Sequence, residues 1–138
     1  LSLAAAALAA AYAWRRSTIA GGLIAGAYIA VAFYVLPTNT HERYMYPFVV
    51  LMAPTLLAES RFRWVYVVLS ATLFLNMFLV APPVESWMRR WDDATATHYI
   101  AGLNVLVFGW MTWLLASDLW LPRRATEPEP IASADARS

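Results

Sequence analysis

Cysteine is absent from this 138-residue chain, which excludes a disulfide framework and any thiolate-ligated metal and leaves the redox compartment unmarked. Lysine is absent as well. All ten basic residues are arginine, a usage that genome composition explains as readily as phosphate chemistry. Charge of both signs is scarce at 14% of residues, and ten cations against nine acids leave a formal net charge of +1. Nucleic acid is not among the partners expected of such a chain.

What is abundant is apolar surface: 61% of the residues are hydrophobic, against about 45–50% in soluble domains. A membrane protein is the first expectation. Five apolar runs, at 1–14, 19–36, 41–58, 64–81 and 99–121, are separated by short polar breaks. The first falls short of the roughly 20 residues a spanning helix needs. The expected fold is therefore all-α, a polytopic transmembrane helical bundle over 1–121 with about four full spans and one partial N-terminal span. The segment 84–95 holds Trp87 and Trp91 on one helical face and reads as an interfacial helix or anchored loop, with a lid as the alternative. Residues 122–138, rich in proline, alanine and acid, are expected to form a disordered cytoplasmic tail.

An arginine pair follows the first run rather than preceding it, which is not the order of a signal peptide, and the chain begins with leucine. It reads as the C-terminal part of something longer. Alternating the breaks places Arg15, Arg16, Arg61, Arg63, Arg123, Arg124 and Arg137 on one side and Arg43, Arg89 and Arg90 on the other. Arginines of short loops accumulate in the cytoplasm, so the first side is the expected cytoplasmic one. The stretch PTNTHERYMYP, 37–47, then faces outward.

That stretch crowds His41, Glu42, Arg43, Tyr44 and Tyr46 between two apolar runs. With Asn39 or Thr40 as N-cap, His41 to Tyr44 would form the first turn of the third helix, where free N–H groups favour an anion. Arg43 adds a permanently charged fork and His41 a donor that titrates near neutral pH. A lipid phosphate at headgroup depth suits this set. Interfacial anchoring by the same tyrosines and arginine is the other reading. Pro47 and Pro54 each remove a helical hydrogen bond, so a kinked or locally unwound third helix is expected, facing protein or a wet cavity.

HERYMYP, followed by an apolar helix, a short basic break and another helix, resembles the C-terminal region of polytopic glycosyltransferases of the GT-C type, over roughly 34–77. Enzymes of that family take a sugar from a polyprenyl-phosphate donor on the extracytoplasmic face. The resemblance implies that His41 contacts the donor phosphate or organises its pocket and that Arg43 neutralises it. It further implies that Glu42 orients one of the two, that Tyr44 and Tyr46 line the lipid or sugar pocket, and that Pro47 sets the helix geometry. The only bound group implied is the polyprenyl-phosphate sugar or another lipid; no other cofactor is expected. The family's general base is an acid in the first extracytoplasmic loop of the N-terminal half, and this chain has nothing in that position. General-base help contributes about 10²–10⁴-fold. The chain alone is therefore not expected to be a working transferase and carries no catalytic residue of its own.

Four further positions read as packing. Gly22 and Gly26 form a G-x-x-x-G step that permits close helix contact, and Asn76 and Asn104 lie at equal depth, where a hydrogen bond between their helices is expected. His98, Asp92 and Asp93 match no metal-ligand spacing, and no metal is assigned. The expected setting is a bacterial inner membrane, with membrane lipids and an N-terminal half or other membrane subunits as partners. The alternative function is a small non-catalytic membrane subunit packed into a larger respiratory or photosynthetic assembly.

Overall fold

The computed structural model describes residues 1–36, 45–80 and 93–120, and every element among them is helical. Helix α1, Ser2–Arg16, is built on alanine, the strongest helix former. It stops at Ser17, which takes the left-handed conformation at φ 47° and donates its N–H to the Ala13 carbonyl. Thr18 then caps α2, Ile19–Val35, by accepting the Gly21 N–H at 3.0 Å. Two residues thus fold α1 back onto α2. Ala5, Ala9 and Tyr12 of α1 and Gly21, Ile24, Ala25, Tyr28, Val31 and Ala32 of α2 are buried, and both sets follow the three-to-four spacing of a packed helix face.

Helix α3, Tyr46–Met52, has Pro47 in its first turn, where a missing N–H leaves nothing unpaired. Pro54 ends that ladder. The chain tightens into a 3-10 turn at Ala53–Thr55, and the Thr55 hydroxyl donates to the Met52 carbonyl at 2.7 Å. A second 3-10 turn, Ser60–Phe62, leads into α4, Arg63–Val80, and α5 runs through Asp93–Trp120. Helix α2 packs along α1 and α3, and α5 touches α1, α2 and α4. Tyr12, Tyr28, Phe48, Phe62, Leu69, Met111 and Leu115 meet in the centre. Tyr28 stacks on Phe108 there, with ring centroids 5.4 Å apart.

The expected four-span bundle with a partial fifth does not survive. Among the described residues one helix, His98–Trp120 within α5, is long and apolar enough to cross a membrane. The 41–58 run is not one span, because the described α-helix in it has only seven residues. At about 1.5 Å per residue, α1 and α2 reach ~22 and ~26 Å and the described part of α4 ~27 Å, against a hydrocarbon core of ~30 Å. The turn at Ser17 and Thr18 sets the end of α1 and the start of α2, and Pro54 ends α3. Residues 84–92 and 122–138, expected as an interfacial segment and a tail, lie outside the described residues, and 93–95 open α5.

Only 28% of the spanning stretch is buried within the chain, so α5 is not a core helix sealed by its neighbours. Leu103, Leu106 and Trp113 on it and Val67, Phe74 and Phe78 on α4 stand exposed. The outside of this bundle is apolar.

Candidate functional site

His41, Glu42, Arg43 and Tyr44 lie outside the described residues; of the expected third helix, Tyr46–Met52 is described as α-helix. Their flanks are both placed. Tyr34, in the last turn of α2, accepts a hydrogen bond from the Asn76 side-chain amide at 3.2 Å. Tyr46, in the first turn of α3, donates its hydroxyl to the Met77 sulfur at 3.1 Å. Asn76 and Met77 are consecutive on α4, so that helix gathers both ends of the 37–44 connection to one level. Tyr46 keeps an exposed ring while Met45 beside it is fully buried. Pro47 and Pro54 act as a helix start and a helix stop.

The packing residues fall differently from expectation. Asn76 and Asn104 do not pair; Asn104 accepts instead from the Thr72 hydroxyl at 2.7 Å, where both are buried. Thr72 precedes Asn76 by four residues, so α4 and α5 are offset by about one turn from the register that equal depth suggested. Gly22 faces open space, and a Cβ at Gly26 would come 3.3 Å from Leu51 Cδ1. The close approach is at Gly21, where a Cβ would sit 2.6 Å from Arg16 Cβ. The tight step in α2 therefore serves the α1–α2 turn rather than a G-x-x-x-G face.

The densest polar chemistry stands at the other end of the bundle. Arg16 from the last turn of α1, Glu59 and Arg61 from the α3–α4 connection, and Asp118 from the last turn of α5 converge there. Arg16 donates to Asp118 Oδ2 from Nε at 3.1 Å and from Nη2 at 2.6 Å, and its Nη1 lies 3.3 Å from Glu59. Arg61 donates to both Asp118 oxygens from its two terminal nitrogens, and its Nε lies 3.2 Å from Glu59. That Nε is buried and falls outside hydrogen-bond geometry, so its contact with Glu59 is an ion pair only. The Tyr12 hydroxyl accepts a further bond from Arg61 at 3.3 Å, and the Arg61 guanidinium lies 4.9 Å from the Phe62 ring centroid.

Hydrogen bonds to Asp118 push the Arg61 guanidinium above its ordinary value, so it stays charged at any working pH. Two cations face two carboxylates, and the Asp118 side chain is only 10% exposed. The network is self-compensated and offers no free charge to an anion. What it does is tie three chain segments together at one level.

Glu59 and Asp118 were not singled out from the sequence, although one signal was there. Asp118 is the only acid between 99 and 121, and a lone carboxylate in an apolar run calls for a cation partner. Nothing in the sequence says that Arg16 and Arg61 are the two that answer. Among the described residues no group of three His, Asp or Glu side chains is placed to hold a metal ion. Comparison with protein-family models, with curated proteins and with solved structures finds no match to this chain.

Proposed function

We propose that this chain is the C-terminal membrane portion of a GT-C type glycosyltransferase and supplies a lipid-phosphate site through His41 and Arg43. The observation that carries the reading is the HERYMYP stretch, with its cation, titratable donor and carboxylate in consecutive positions ahead of a proline-started helix. The anchoring of Tyr34 and Tyr46 on Asn76 and Met77 supports it, because it brings both ends of the motif segment to one place. With α3 only seven residues long, the side chains rather than the helix end would hold the phosphate. Glu42 would orient Arg43 or His41, and Tyr44 and Tyr46 would line the lipid chain or sugar. The acid that activates the acceptor hydroxyl is not among these groups, so the chain serves donor binding and not proton transfer.

The proposed setting is a bacterial inner membrane, with the motif end extracytoplasmic and the Arg16 and Arg61 end cytoplasmic. Among the described residues Arg15, Arg16, Arg61 and Arg63 all come from the end that carries the ion-pair network, which supports that polarity. In detergent, the purified chain is expected to bind polyprenyl phosphate. Loss of Arg43 removes charge-assisted bonds of about 1.5–3 kcal/mol, so Arg43→Ala should weaken binding by roughly 10- to 100-fold. His41→Ala should weaken it less. Equal binding by Arg43→Ala and the parent chain would exclude this site and favour the small-subunit reading.

A further inference from the structure

We infer that the end of the bundle carrying the Arg16–Glu59–Arg61–Asp118 network lies at the headgroup plane of a phospholipid bilayer, held there by a ring of three tryptophans. The inference rests on membrane residence as proposed above but not on the polyprenyl-phosphate site, which is at the opposite end.

Three exposed tryptophans come from three different helices. Trp14 is 87% exposed, Trp64 67% and Trp120 85%. Trp14 stands two residues before Arg16, Trp64 three after Arg61, and Trp120 two after Asp118. The ion pairs among Arg16, Arg61 and Asp118 therefore bring the three indoles within about 8 Å of one another along the bundle axis, Trp14 and Trp64 on the inner side of the network and Trp120 on the outer. Tryptophan joins a large apolar ring to an N–H that needs a polar partner, and it collects where hydrocarbon meets headgroups. An indole in water gains nothing from such exposure.

The charges at this level fit the same occupant. Arg16 and Arg61 are neutralised within the chain, so the network brings no bare charge to the edge of the hydrocarbon. Arg63, next to Trp64, is exposed and can reach a lipid phosphate. Further from this end, along α4 and α5, the exposed side chains Val67, Phe74, Leu103 and Leu106 carry no polar group and suit acyl chains, while Trp113, seven residues before Trp120, carries an exposed indole about 10 Å deeper. Apolar flank, indole ring and exposed arginine follow one another in the order of bilayer depth.

The absence of cysteine makes the test direct. Nitroxide labels are placed one at a time on the full chain at Trp14→Cys, Trp64→Cys, Trp120→Cys and Leu106→Cys. The chain is reconstituted in vesicles of phosphatidylcholine and phosphatidylglycerol, and each label's accessibility to oxygen and to a water-soluble nickel chelate is read by power saturation. Leu106 lies 14 residues from Trp120 on one helix, about 21 Å along its axis. Its label should be oxygen-rich and closed to nickel, while the three end labels lie at shallow depths within about 8 Å of one another, Trp120 the outermost. Labels at Ser17→Cys and Ser60→Cys, exposed at the same level, keep all three indoles and should report the same plane.

A deep Leu106 label with end labels at scattered depths, or open to nickel as in bulk water, overturns the ring and leaves membrane residence standing. A Leu106 label open to nickel overturns both. End labels closed to both reagents would mean that protein covers this end, which also overturns the inference.

Discussion

Replacing Asp118 by alanine should unravel one end of the bundle more than any other single change. Its carboxylate receives four donations, two from Arg16 and two from Arg61, and its side chain is 10% exposed. Breaking a fully buried pair costs about 3–5 kcal/mol, and breaking an exposed one about 0–1 kcal/mol. The site lies between those limits. Arg16 and Arg61 are 37% and 30% exposed and can partly rehydrate, and Glu59 remains within 3.3 Å of the first and 3.2 Å of the second. An intermediate cost of about 1.5–3 kcal/mol follows from the two limits. For a chain of this size that lowers the thermal midpoint by roughly 5–10 °C. Thermal unfolding in detergent, followed by circular dichroism, reads the shift. Glu59→Gln should cost less, because Glu59 makes only distance-level pairs while Asp118 takes the forked donations. Arg61→Lys should recover little, since an ammonium cannot bridge both Asp118 oxygens as a guanidinium does. A midpoint shift under about 1 °C for Asp118→Ala, or a larger one for Glu59→Gln, would refute the claim that Asp118 is the hub.

Other expectations are as specific. Gly21→Ala should destabilise by about 1–3 kcal/mol through the clash with Arg16 Cβ, whereas Gly22→Ala, facing open space, should be neutral or stabilise by about 0.4–1 kcal/mol; equal effects in thermal unfolding would contradict the placement of the α1–α2 turn. Asn104→Leu breaks the bond with Thr72 and should cost roughly 0.6–2 kcal/mol, while the double change with Thr72→Val should cost less than the sum of the two singles. Asn76→Leu removes its hydrogen bond to Tyr34 and should weaken polyprenyl-phosphate binding a few-fold without a comparable fall in helicity, a contrast that titration and circular dichroism together would show.

The sequence made the helices themselves readable. Alanine and apolar runs marked α1, α2 and α4 to within two residues of their described limits, because helix propensity and apolar continuity are local properties, while α5 opens at Asp93, six residues before its run. Spans were harder. Hydropathy counts apolar residues in a row but does not register a chain that turns back on itself, and Pro54 divided a run that composition joined. Within the described α3, Pro47 sits at the N-terminal end, where its missing N–H costs no bond. The Asn76 and Asn104 pairing failed by one turn, since equal counting from the helix ends ignores their offset. The four-residue charge network was least visible of all, as its members come from positions 16, 59, 61 and 118 and are joined only by the fold.

The central claim is that this chain recognises the phosphate of a lipid-linked donor. Native mass spectrometry of the detergent-purified chain, titrated in parallel with polyprenyl phosphate and with the matching polyprenol, isolates that phosphate from the lipid tail. The account predicts one bound polyprenyl phosphate per chain and at least tenfold weaker retention of the alcohol, from charge-assisted bonds of about 1.5–3 kcal/mol that only the phosphate can make. Equal retention of the two lipids would contradict it.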